Sequence, residues 1–166
     1  MFWEQLPEEL KKKFVASRVT YRRKLSKNVW PELFGTKNKF LIKAYCFKEN
    51  MKVEFCEDGS LVLRFSNKAY IDTKQGPSFV NNLLVNLVDV NALPEEITSK
   101  IKCDVVWEDD QEFTAEEISQ LQMIEQKLQV PIAWKKGELL IVDNKLSLHG
   151  RLEFTGEREI LVQMMR

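Results

Sequence analysis

The chain has 166 residues, 44% hydrophobic and 30% charged, with 25 basic and 25 acidic side chains that cancel. That length carries one domain with a real core, and the composition excludes a disordered or low-complexity chain. No apolar run approaches the ~20 residues of a membrane span, and the opening MFWEQLPEELKKK lacks the basic-then-apolar order of a signal peptide.

Leu6-Pro7-Glu8-Glu9 reads as a helix start, with Pro7 in the first turn and acids beside the positive end of the dipole. Leu10 and Phe14 give that helix an apolar stripe. RVTYRRKL follows as a strand with Val19, Tyr21 and Arg23 on one face. Thr36 is the expected cap of a second helix, in which Phe40, Leu41, Ala44 and Tyr45 recur at helical spacing. From residue 52 the period changes to two. KVEF, LVLRF, KAYI and SFVN are short runs separated by Asp58-Gly59, Ser66-Asn67 and Gly76-Pro77, which predicts a meander with a hairpin turn at Asp58-Gly59. Residues 83–103 are ambiguous, with some helix. Thr114 and Glu117 form a capping box ahead of a helix whose apolar face is Ile118, Leu121, Ile124 and Leu128. PIAW, ELLIVD after a turn at Lys136-Gly137, and REILVQM then predict terminal strands. With no repeat and no linker, residues 1–166 read as a single α+β domain.

Charge is unevenly spread. Residues 11–27 hold eight Lys or Arg and no acid, whereas residues 89–125 hold eleven acids against Lys100 and Lys102. A basic block can mark a nucleic-acid or lipid surface. No RNA-binding signature accompanies this one, so a solvated face docking on the acidic segment is expected, with neither nucleic acid nor membrane as partner. Cys46, Cys56 and Cys103 are odd in number and lack CxxC spacing, so with the single histidine they do not read as a zinc quartet. They read as buried or free thiols of a reducing cytoplasm.

The single histidine, His149, lies in DNKLSLHGR. A lone histidine near a strand end is ordinarily a surface or hydrogen-bonded core residue. Its surroundings here point further. Asp143-Asn144 ends an apolar run in a turn, Gly150 allows close approach, and Arg151 and Arg158 supply rigid forks that match carboxylates. A neutral imidazole near two guanidiniums suits a metal whose co-substrate carries carboxylates.

WKKGELLIVDNKLSLHGRLEFTGEREILV resembles the C-terminal signature of the Fe(II)- and 2-oxoglutarate-dependent oxygenases related to taurine dioxygenase, clavaminate synthase and γ-butyrobetaine hydroxylase. That signature is roughly W-x-x-G-D-x-L-x-x-D-N-x-x-x-x-H-G-R-x-x-F-x-G-x-R. Trp134, Gly137, Asp143, Asn144, His149, Gly150, Arg151, Phe154, Gly156 and Arg158 match it, and Glu138 replaces the usual Asp. Upstream, LPEELKKKFVASRVTYRRKL, WPELFGTKNK, CFKENMKVEFCEDGSL and KAYIDTKQGPSFVNN are similar to successive blocks of a subgroup that includes amino-acid hydroxylases of peptide natural-product pathways. Asn81 would be that subgroup's T-G-E-x-x-W-F-N asparagine, and Glu108-Asp109-Asp110 would stand for its G-D-G. The resemblance runs from about residue 3 to 165.

The resemblance implies a double-stranded β-helix (jelly roll) with flanking helices, incomplete in this chain, and the cofactors Fe(II) and 2-oxoglutarate. In the family, two histidines and a carboxylate hold iron. His149 corresponds to the second histidine, Arg158 to the arginine that grips the distal carboxylate of 2-oxoglutarate, and Arg151 to a helper near that pocket. Asn81 and Asn144 are further pocket candidates. The first histidine with its carboxylate, as His-x-Asp or His-x-Glu, and a G-G-x-T block have no counterpart here. The expected function is therefore the C-terminal half of an oxygenase that hydroxylates a small molecule or amino acid, inactive until completed by the N-terminal half. A catalytically dead oxygenase fold serving as a binding or structural module is the alternative, and a split enzyme, a degenerate protein and a fragment all fit. Unpaired strand edges call for a second chain, either that N-terminal half or another copy, burying more than ~1,000 Å². His149 and Arg158 are expected to face one cleft.

Overall fold

The computed structural model describes residues 1–87, 101–150 and 155. Its helices are α1 (Phe2–Gln5), α2 (Glu8–Ala16), α3 (Trp30–Phe34), α4 (Lys39–Lys48), α5 (Leu83–Asn86) and α6 (Ala115–Leu128). Its strands are β1 (Val19–Leu25), β2 (Lys52–Phe55), β3 (Leu61–Asn67), β4 (Ile71–Thr73), β5 (Gly76–Ser78) and β6 (Ile101–Trp107). The class is α+β, as expected. An antiparallel four-stranded sheet runs in the order β2-β3-β1-β6, and β4 and β5 pair separately.

β1 is central. Val19 opposes Asn67 on one side and Trp107 on the other, and the ladders continue to Leu25 opposite Leu61 and Ile101. Alternation then sends Val19, Tyr21 and Leu25 to one face with Leu61, Leu63, Val105 and Trp107, all buried. Two apolar clusters cover that face. One end packs on α2 and α6 through Leu10, Phe14, Trp107, Phe113, Leu121 and Ile124. The other packs on α3 and α4 through Leu25, Trp30, Ile42, Cys46, Leu61 and Leu63. The opposite face is polar: Arg22 grips Asp104 across the ladder through two bonds, Nε–Oδ1 at 3.0 Å and Nη2–Oδ2 at 2.8 Å.

Several expected elements form for the expected reasons. Pro7 precedes α2, and Leu10 and Phe14 are its buried residues. The turn between β2 and β3 puts Gly59 at φ +80°, with Gly59 N–H donating to Cys56 C=O at 3.1 Å and Cys56 N–H to Ser60 C=O at 2.9 Å. That is a turn whose third residue must be left-handed. The Thr114–Glu117 box is made at both ends: Glu117 N–H to Thr114 Oγ1 at 3.2 Å, and Thr114 N–H to Glu117 Oε2 at 2.9 Å.

Four expectations are corrected. Asn38, not Thr36, caps α4, its side chain accepting from Phe40 and Leu41 N–H; Thr36 instead accepts from Asn38 N–H. The predicted stripe of that helix faces outward. Ile42 and Cys46 are buried, while Phe40 is 76% and Tyr45 52% exposed. β6 begins in the last residues of the 83–103 segment read as ambiguous and runs past it to Trp107, because Val105 and Trp107 complete the sheet's apolar face. The run beyond α6 holds no strand through residue 150, although PIAW and ELLIVD have strand patterns. A strand pattern becomes a strand only where another strand satisfies its N–H and C=O groups, and the four-stranded sheet supplies no partner there. REILVQM and much of the 83–103 stretch lie outside the described residues. Among the described residues, no helix is long and apolar enough to cross a membrane.

The basic block docks on the acidic segment, as its charge predicted. Lys13 pairs with Glu117 at 2.6 Å, Arg22 with Asp104 at 2.8 Å, and Arg18 exchanges bonds with Glu108 through its backbone N–H and C=O. Lys13 also sits 4.3 Å from the Trp107 ring centroid, whose Nε1–H reaches Glu117 Oε2 at 3.4 Å. Burial pushes the Glu117 carboxyl up. The Lys13 ammonium, the Thr114 N–H and the indole N–H together outweigh it and hold the group below its ordinary value.

Trp107, stacked on Phe113 and tilted against Phe14, is 1% exposed. Trp107→Ala is expected to cost about 3–5 kcal/mol in urea unfolding, and Trp107→Phe clearly less, since part of the volume is kept. A depressed carboxyl contributes stability above its unfolded pKa and loses it as pH falls through the folded value. Glu117→Gln should therefore flatten the loss of stability below about pH 4.5 while lowering stability at neutral pH, read from melting temperature against pH.

Candidate functional site

The motif residues sit on a segment shaped by two turns. At the first, Gly137 takes φ +89°, Glu138 N–H donates to Lys135 C=O at 3.2 Å, and Lys135 N–H donates to Glu138 Oε2 at 2.7 Å. Glu138 thus serves its own turn. At the second, Asp143 Oδ1 accepts from Lys145 N–H at 2.8 Å, and Asp143 C=O accepts from Leu146 and Ser147 N–H at 3.0 Å each. An aspartate side chain that bonds the backbone two residues on is a local turn former, so the predicted Asp143-Asn144 turn exists whatever else pairs with the segment.

Asn144 lies in that turn with its side chain exposed, and His149 follows it, also exposed. Between and around them run uncovered apolar side chains. Val130 is 80% exposed, Leu139 84% and Ile141 73%, and Ile132, Trp134 and Leu140 lie between 44% and 53%. LLIV at 139–142 is a continuous apolar run, the pattern of a strand buried on both faces. Arg151 and Arg158 lie outside the described residues, so the shared cleft with His149 is not assembled among them.

Asn81 is half-buried and fully engaged. Its Nδ2–H donates to Ala69 C=O at 2.6 Å, and its Oδ1 accepts from Leu83 N–H at 2.8 Å. It ties the approach to β4 to the start of α5. Beside it, Tyr21, Phe65, Asn82, Asn86 and Cys103 line a narrow cleft on the sheet. Burial pushes the Tyr21 phenol up to about 12, with the Asn82 backbone amide pulling the other way. No motif in the sequence singles out this cleft. Its signal is the alternation of Tyr21 and Arg23 on β1 with Cys103 and Val105 on β6, whose first residues fall in the ambiguous 83–103 stretch.

Glu108-Asp109-Asp110 forms the tight turn after β6. Asp110 takes φ +66°, its N–H donating to Trp107 C=O at 2.9 Å, and Gln111 N–H donates to Asp109 Oδ1 at 3.2 Å. Aspartate tolerates the left-handed region that glycine favours, so the turn keeps a glycine-like backbone without glycine.

An iron site of two imidazoles and a carboxylate needs three ligands on one face. Among the described residues no group of three or more His, Cys, Asp or Glu side chains could hold a metal ion, and His149 stands exposed without a carboxylate cluster. The donor set of these residues does not fit the metal by itself. The three cysteines are free thiols, as their spacing predicted.

The sequence model of the family described as "Taurine catabolism dioxygenase TauD, TfdA family" matches residues 2–165. Among curated proteins, the chain is similar to the "Dapdiamide synthesis protein DdaC" of Enterobacter agglomerans, with 24% identity over 173 residues that cover 96% of this chain and 52% of that protein. The chain thus spans about half the length of the curated relative it matches.

If Asn81 acts as a brace, Asn81→Ala leaves Leu83 N–H and Ala69 C=O without their side-chain partner and costs about 1–3 kcal/mol. Hydrogen exchange at Leu83 should accelerate with it, while Asn144→Ala, at an exposed site, leaves stability within about 0.5 kcal/mol.

Proposed function

The chain belongs to the Taurine catabolism dioxygenase TauD, TfdA family, and from that premise we propose that it is the C-terminal part of an Fe(II)- and 2-oxoglutarate-dependent oxygenase. Its substrate is a small molecule, an amino acid free or carrier-bound, and it becomes active when an N-terminal complement supplies His-x-Asp or His-x-Glu and the G-G-x-T block. His149 provides one imidazole to the metal. Arg158 takes the distal carboxylate of 2-oxoglutarate through its planar fork, and Arg151 lies near the same pocket.

The observation that carries this reading is the pairing of motif and context. DN…HGR…F…G…R is spelled out from Asp143 to Arg158, and the segment leading into it is strand-patterned, apolar and uncovered. Such a segment is what remains of a jelly roll when the strands it pairs with belong to another part of the fold. In the complete assembly, residues 131–165 join the complement's strands in a double-stranded β-helix. The pairing buries Leu139, Ile141 and Trp134 and sets His149 and Arg158 on one cleft. Residues 1–166 then contribute a single domain to that assembly, and the interface exceeds ~1,000 Å².

Co-expression with the complement should give 2-oxoglutarate-dependent succinate formation that His149→Ala abolishes. Arg158→Gln should raise the 2-oxoglutarate concentration required at least ten-fold, as loss of a bidentate charged contact predicts. Residues 139–142 should gain protection from hydrogen exchange in the complex. Turnover that survives His149→Ala would sink the assignment, and a complex that forms without any turnover would favour the non-enzymatic module.

A further inference from the structure

α4 is apolar on two opposite faces. Ile42 and Cys46 point into the core beneath it. At 100° per residue the outward face is centred on Ala44, with Phe40 and Phe47 to one side and Leu41 and Lys48 to the other. Phe47 is 84% exposed, Phe40 76% and Leu41 53%. A helix with apolar side chains on two opposite faces normally has both covered, and phenylalanines at i and i+7 around a small residue are the anchors of helix-on-helix recognition.

We propose that this face is the seam of a homodimer in which α4 packs antiparallel on α4 of a second copy, about a two-fold axis passing between the two Ala44 residues. The pattern selects that occupant because it is self-complementary. Ala44 lies near the midpoint of Phe40 and Phe47. A two-fold perpendicular to both helices therefore lays Phe40 on Phe47 of the second copy, and the same contact repeats on the other side, as an isologous interface requires. Leu41 meets the aliphatic stem of Lys48 of the second copy, whose ammonium stays in water. The small Ala44 pair at the crossing lets the backbones approach.

Charge agrees with this arrangement. Lys39 is already placed over the Phe55 ring, 5.0 Å from its centroid, and Lys43 points sideways to the rim, so no like charges meet at the centre. Two phenylalanines, a leucine, an alanine and a lysine stem per copy bury on the order of 1,000 Å² in total, at the lower limit for a specific interface. The dimer is therefore weak, with dissociation in the micromolar range. It rests on α4 alone and stands whether or not the oxygenase reading holds.

Sedimentation of the 166-residue chain across the micromolar range tests it. A monomer–dimer equilibrium is expected, weakened about ten-fold or more by Phe40→Glu or Phe47→Glu, both exposed positions that leave the core untouched. Leu139→Lys, on the other uncovered apolar segment, should leave that equilibrium unchanged. In a Cys56→Ser, Cys103→Ser background, Ala44→Cys should form an intermolecular disulfide on mild oxidation, since helices packed on a small residue bring two such Cα atoms within bonding reach, and Lys43→Cys should not. A monomer at every concentration overturns the proposal. So does a dimer that Leu139→Lys abolishes and Phe40→Glu spares, or a chain that stays monomeric yet binds phosphatidylserine vesicles through Phe40 and Phe47.

Discussion

A strand's backbone must find hydrogen-bond partners along both edges or be left to water, and the described body is arranged around the strand that finds both over its whole length. β1 is laddered to β3 and β6 over its whole length, Val19 to Leu25. Because its register is fixed on both sides, alternation fixes which side chains face inward. α2 and α6 then settle over one end of that face and α3 with α4 over the other. The same requirement explains residues 129–150. They have β-branched and leucine runs, turns in the right places and no ladder, and their apolar side chains stay in water at several positions above 70% exposure.

Electrostatics reinforce the ladder rather than create it. The basic block and the acidic segment are far apart in sequence, and the antiparallel pairing of β1 with β6 brings them side by side. Arg22 and Asp104 are direct cross-strand partners, a geometry in which opposite charges support a sheet. Lys13 and Glu117 join α2 to α6 at the edge of the core, and Glu117 also closes its own helix cap and accepts from Trp107. One carboxylate thus couples a helix start, a helix–helix contact and the largest buried ring.

Local chemistry was legible in the sequence, and non-local pairing was not. The Asp58-Gly59, Lys136-Gly137 and Asp143-Asn144 turns and the Thr114–Glu117 box are all where the residues put them, since each depends on side chains within a few positions. The outward face of α4 is not legible in the sequence, because Phe40, Leu41, Ala44 and Tyr45 satisfy helical spacing as well as Ile42 and Cys46 do; what sits beneath the helix decides between them. β6 starts inside the ambiguous 83–103 stretch although Ile101, Cys103, Val105 and Trp107 alternate with Lys102 and Asp104. The alternation is interrupted by Val106, which is buried on the other face. The strands expected from 131 onward were named from period alone, and period cannot say whether a partner strand is present. For the site, His149 and its motif were identified by spelling, whereas the turn that precedes His149 is the one part of its geometry that short-range bonds determine.

That difference bears on how such a site can work. Metal-binding and co-substrate residues act only when rigid elements hold them to within a fraction of an ångström. His149 follows a self-sufficient turn, yet the segment that leads into it has no ladder, so its position is held by that turn alone. Supplying the ladder would bury the 139–142 run on both faces and fix the turn at a definite height on a sheet. The ordering of that segment would be offset at the moment of association by the apolar area removed from water. On the proposed reading, completion of the fold and positioning of His149 would then be a single step.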